Sequence, residues 1–271
     1  MTKPLSDAWA KLEHAKARVN EIARVIPKSL EKGVYSLPLV REYKRDLNAV
    51  VVIVESVPEL PENLGLLVGD VIHNFRSALD LAWWQLAVKH LKREPTEDEA
   101  NSIQFPIRRP GKNLNTGDWA HWVGQDAVNI VEPEQPDKAW THEVPTGPSF
   151  VPPTLGALRY LSNLAKHRFI NATFLPLTKM VVPAIHADQF IDCLPDRSRK
   201  LGSPVPGLRP APEQEIFRVP VSSAGRRADV DFNPQVFTQI AVEPFWRMFK
   251  LCDAIGVEIA KLLRLFEPIV K

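Results

Sequence analysis

The sequence predicts an α+β fold: an antiparallel sheet packed on a layer of long helices, with a proline- and tryptophan-rich irregular insertion. Three observations lead there. Stretches near both ends and in the middle of the chain repeat apolar residues every three or four positions, the period of a helix with one buried face. Short β-branched stretches come in runs and do not alternate with helices, which favours α+β over α/β. Residues 94–153 break both patterns: they are rich in proline yet hold Trp119, Trp122 and Trp140. The 271 residues can bury a sizeable core. Residues 1–271 are therefore expected to form a single domain, with 94–153 as an insertion within it.

The elements follow in chain order. Leu5, Ala8, Trp9, Leu12, Ala15, Val19, Ile22, Ala23 and Ile26 predict a helix over 5–26, capped by Ser6 or Asp7 and closed by Pro27 and Gly33. Residues 34–40 and 48–57 read as two strands, the second almost all valine and isoleucine, with 41–46 as a charged turn. A long helix is expected from about Glu62 to Leu91, where Gly65 and Gly69 mark a bend or a close approach to a neighbour. Within 94–153 the regular candidates are a short strand at 103–107 and a one- or two-turn helix at 118–124. The tryptophans there argue against disorder, which is aromatic-poor, and long irregular segments are commonly functional. Thr154 caps a helix over 154–167 after Pro152 and Pro153. Strands are expected at 169–176, 179–185, 190–193, 215–221 and 228–232, with 236–242 extending the sheet. The last helix covers 244–266, with Pro244 near its start.

Composition narrows the function classes. Net charge is +2, from 34 basic and 32 acidic residues. That balance demands no nucleic-acid partner, although it leaves room for a local basic patch. Cys193 and Cys252 are far apart and fit no metal spacing, so the chain reads as reduced and intracellular, hence cytoplasmic. No signal peptide is visible, and no apolar run approaches the ~20 residues of a membrane span. Phosphate-cradling glycine loops, dinucleotide fingerprints and nucleophile elbows are absent. The seven histidines show no zinc-ligand spacing, so neither a metal nor a cofactor is expected.

Two constellations remain. In the central helix, Val71, Phe75, Ala78, Leu79, Ala82 and Leu86 form an apolar stripe, and His73, Arg76, Asp80 and Trp84 lie opposite it. Arg76 and Asp80, four apart, can pair and fix the helix to its neighbours. Alternatively the face opens on a cleft where Arg76 clamps a phosphate or carboxylate and His73 moves protons. The second constellation runs from Arg159 through Asn163, Lys166 and His167 to Arg168. It either places cations against the helix dipole or forms a surface for an anion or nucleic acid.

The series Gly69-Asp70-x-x-His73-Asn74-x-Arg76-Ser77-Ala78-Leu79-Asp80, with Lys166-His167-Arg168 downstream, resembles a group of uncharacterised bacterial and phage proteins. They share a Gly-Asp-x-x-His-Asn-Leu-Arg-Ser-Ala-Leu-Asp-His core and a later Asp-Lys-His-Arg. The Arg-Ser-Ala-Leu-Asp-His part of that core also resembles the Arg-x4-6-His motif of the HEPN superfamily. That second resemblance implies a metal-independent ribonuclease acting in a dimer, with an arginine and a histidine on the RNA. Here Arg76 matches the arginine, but Leu81 stands at the histidine position and Ala165 at the aspartate position of the later motif. An isobutyl group transfers no proton, so His73 or His167 would have to substitute.

The leading expectation is a non-catalytic binding protein for an anionic ligand, a nucleic acid or a partner protein. Arg76, Asp80, Trp84, Asn163, Lys166, His167 and Arg168 are its binding residues. The alternatives are a ribonuclease using His73, Arg76 and His167, and an interaction protein whose function lies in the 94–153 insertion. A homodimer through the exposed part of the last helix is compatible with each.

Overall fold

A computed structural model describes residues 4–26, 35–36, 39–44, 49–57, 59–109, 116–137, 153–167, 170, 172–174, 179–181, 215–220, 235–238, 240–242 and 246–271. The chain gathers into two compact units. One comprises residues 1–25, 61–172 and 242–271, the other residues 26–60 and 173–241.

The first unit is a helical bundle. Its helices are α1 (Ser6–Val25), α2 (Leu64–Leu91), α3 (Glu97–Ala100), α4 (Thr116–Val123), α5 (Gln125–Val131), α6 (Thr154–His167) and α7 (Met248–Val270), and a 3-10 turn at Glu132–Glu134 follows α5. The helix α2 is the axis. Twelve of its side chains are buried, too many for a single stripe, because α1, α4, α6 and α7 pack around it. The core of this unit is correspondingly built mostly of helix against helix, with Ile103 and Phe105 of the segment after α3 added to it. Trp83 of α2 meets Phe105 edge-on at 5.5 Å and Phe266 of α7 at 6.3 Å, an arrangement aromatic rings favour. Cys252 of α7 is buried as a free thiol, and burial pushes it up to about 12, so it is protonated and inert at neutral pH.

The strands of the second unit are β1 (Tyr35–Ser36), β2 (Leu39–Lys44), β3 (Ala49–Val54), β4 (Ala172–Phe174), β5 (Lys179–Val181), β6 (Glu215–Pro220), β7 (Gln235–Thr238) and β8 (Ile240–Val242); β4 and β8 reach the boundary between the units, and β9 (Trp246–Arg247) precedes α7. The strand β3 pairs antiparallel with β2 and with β6, and β7 with β1 and β5.

The expected fold class is therefore corrected. The described residues are mostly helical, and the principal core is built without a sheet layer. The reason lies in α2: a helix apolar on most of its circumference is covered by other helices, and the strands are too short, at two to six residues, to supply such a cover. Smaller differences follow. The charged stretch 41–46 is not all turn, since β2 runs to Lys44 and pairs residue by residue with β3; backbone pairing is indifferent to side-chain charge where a residue such as Glu42 faces solvent. Residues 103–107 form no strand. The 94–153 stretch has more helix than expected, including α3, whose Thr96–Glu99 capping box is complete. The last helix starts at Met248 and continues through Pro268 to Val270. The strands expected at 190–193 and 228–232 lie outside the described residues.

Candidate functional site

The C-terminal half of α6 lies along the first turns of α2, and a glycine decides how closely. A Cβ on Gly65 would stand 2.3 Å from the carbonyl oxygen of Ile170, so only glycine lets the backbone after α6 approach there. One turn on, a Cβ on Gly69 would meet nothing within 4 Å. The close approach at Gly65 thus opens at Gly69 into a cleft of about 460 Å³.

From α2 the cleft receives His73 and Asp70; from α6 it receives Ser162, Lys166 and His167. His73, Asp70, Lys166 and His167 are all exposed. His73 Nε2 lies 3.4 Å from the Ser77 hydroxyl one turn along the helix. Leu66, 53% exposed, forms an apolar lip. Asp70 is the only carboxylate among the described lining residues, and its charge also acts on Arg18 of α1. The cleft therefore offers an ammonium, two imidazoles and a hydroxyl, which together can grip an oxyanion of phosphate or carboxylate type.

Arg76 does not line this cleft. Its Nε and Nη2 donate to the two carboxylate oxygens of Asp80 at 3.0 and 2.8 Å, and Nη2 also donates to the Phe105 carbonyl at 2.7 Å. Asp80 in turn accepts from the Phe105 backbone N–H at 3.0 Å. The pair is thus a clamp that holds residue 105 of the segment after α3 by both backbone groups, with the Arg76 side chain only 17% exposed. Further along that segment, Gln135 joins in: it accepts from the Arg108 N–H and donates to the Pro106 carbonyl. Trp84 is half-buried on α2, and Asn163 is exposed on α6 outside the cleft lining. Arg168 lies outside the described residues.

The structure thus brings together His73, Lys166 and His167 and assigns Arg76 and Asp80 to another task. Asp70, Ser162 and the two glycines join the site without having been singled out as binding residues. The glycine signal was present in the spacing Gly65–Gly69. Ser162 had none, since a serine one turn before a lysine is unremarkable. Arg159, half-buried on α6, has its charge disfavoured by burial and by the nearby guanidinium groups of Arg109 and Arg76. Among the described residues no group of three or more His, Cys, Asp or Glu is placed to hold a metal ion, and no helix is long and apolar enough to cross a membrane. Comparisons with known protein families, with curated proteins and with solved structures return no match.

Proposed function

We propose that this chain is a non-catalytic binding protein whose α2–α6 cleft takes a small anionic ligand of the phosphate-ester class. One observation carries the reading: Lys166, His167 and His73, from two helices far apart in sequence, line one cleft of about 460 Å³, within the size range of small-molecule sites. Lys166 supplies the fixed charge, the imidazoles and Ser162 supply directional hydrogen bonds, and Leu66 offers apolar surface to the rest of the ligand.

The ribonuclease alternative draws less support. It needs a guanidinium free to meet a phosphate beside an imidazole, whereas Arg76 spends Nε and Nη2 on Asp80 and Phe105. The test is calorimetric titration with inorganic phosphate and with a nucleoside monophosphate. Binding is expected for the parent chain, at least tenfold weaker in Lys166→Ala, and weaker again in Gly69→Leu, which fills the cleft. Absence of binding at millimolar ligand, or binding indifferent to both variants, overturns the reading. Degradation of RNA by the purified protein, lost in His73→Ala, would favour the enzyme instead.

A further inference from the structure

The α2–α6 cleft runs toward a guanidinium group that no described carboxylate balances. At one end of the contact, Gly65 of α2 stands against Ile170, just past α6. At the other, Arg76 of α2 is close enough to act on Arg159 of α6. Eleven positions separate Gly65 from Arg76, and eleven separate Arg159 from Ile170, so the two stretches run antiparallel in matched register. His73 and Ser162, which both line the cleft, lie three positions inside the Arg76 and Arg159 ends. On α6, Arg159, Ser162 and Lys166 follow at intervals of three and four and share one face. The helical rise sets Arg159 about 10 Å from Lys166 along the axis.

The charges at the Arg159 end do not cancel. Arg76 is bound to Asp80. Arg159, half-buried, and Arg109, exposed, pair with no carboxylate among the described residues. Arg109 follows Arg108, whose backbone N–H is held by Gln135. Burial and the guanidinium groups of Arg109 and Arg76 disfavour the charge on Arg159. An unpaired guanidinium half out of water is costly, and an anion beside Arg159 and Arg109 removes that cost. The planar fork of arginine matches the paired oxygens of a phosphate, and a cleft of about 460 Å³ admits a ligand larger than one phosphate. We infer that the ligand of this cleft is a bisphosphate, with one phosphate at Lys166, His167 and His73 and the other at Arg159 and Arg109. This rests on the anion-binding reading of the cleft and narrows its ligand class. A lone phosphate at Lys166 would leave Arg159 unmatched.

Calorimetric titration of the full chain with hexanediol bisphosphate and with hexyl phosphate tests it. The bisphosphate is expected to bind about tenfold tighter or more, because its second phosphate arrives at high effective concentration. Arg159→Gln should bring the bisphosphate to within about twofold of hexyl phosphate, the statistical advantage of two equivalent ends, and leave hexyl phosphate binding as in the parent. Arg109→Gln, at an exposed position that folding does not need, should weaken the bisphosphate with the same selectivity. Hexyl phosphate bound as tightly as the bisphosphate by the parent overturns the bisphosphate and leaves the anion cleft standing. So does an Arg159→Gln variant that weakens both ligands alike or neither. Failure of both ligands to bind the parent overturns the cleft reading and the bisphosphate with it.

Discussion

Arg76 shows how one side chain can carry two opposite expectations. On a helix face beside His73 it reads equally as a ligand clamp or as a structural tie. Its bonds to Asp80 and to the Phe105 carbonyl make it the tie. Replacing it with alanine strands the Asp80 carboxylate, which keeps only the Phe105 N–H. Because the pair is half-buried, a loss of about 2–3 kcal/mol is expected, the range of hydrogen bonds to charged groups, well above the ~1 kcal/mol ceiling of an exposed pair. Chemical denaturation of Arg76→Ala measures it. Phosphate binding in the α2–α6 cleft should persist in the folded fraction; a variant of parental stability that has lost binding would return Arg76 to the site.

At the scale of the element, two glycines one turn apart on α2 have opposite consequences. Glycine inside a helix costs about 1 kcal/mol relative to alanine, so each is retained against propensity. At Gly65 the added methyl meets the Ile170 backbone oxygen at 2.3 Å, which forces the backbone after α6 away from α2. Gly65→Ala should therefore destabilise by about 1–3 kcal/mol, the usual range for overpacking. At Gly69 nothing stands in the way, and Gly69→Ala should stabilise by about 0.5–1 kcal/mol while narrowing the cleft. Thermal melts of the two variants should move in opposite directions; the same sign in both would mean that the approach of α6 does not depend on Gly65.

For the molecule as a whole, stability against pH turns on a carboxylate pair between the 94–137 segment and α7. Lys261 bonds Glu134 at 2.5 Å and stands 3.9 Å from Glu258. Burial is the main reason that Glu258 sits above the usual carboxylate range, and its contact with Glu134 adds to this. Glu134 is held below that range, chiefly by the Lys261 hydrogen bond. The signs differ accordingly. The Glu258 contribution is complete at pH below the ordinary carboxylate value and is lost as pH rises through its raised one. The Glu134 contribution is complete above the ordinary value and is lost on acidification. Glu258→Gln removes the charge that is costly to bury, so it should raise Tm at pH 8 by about 2–4 °C and change little at pH 4. Equal shifts at both pH values would mean that Glu258 is not the group responsible.

Local periodicity was enough to place α1, α2 and α6 within about two residues, because the period of buried apolar residues is a property of neighbours along the chain. The sequence grouped His73 with His167 through a resemblance and not through geometry; that they and Lys166, some ninety positions apart, line one cleft is a matter of how α2 and α6 pack, with Gly65 admitting the backbone at Ile170. Nor could the fold class be read from the order of elements. Which surface covers the apolar circumference of α2 depends on the competition between helices and strands for the same face, and only packing in three dimensions resolves it. The same holds for Arg76: a charged side chain four residues from an acid looks alike in a cleft and in a clamp, until the backbone of Phe105 arrives to take up its remaining donor.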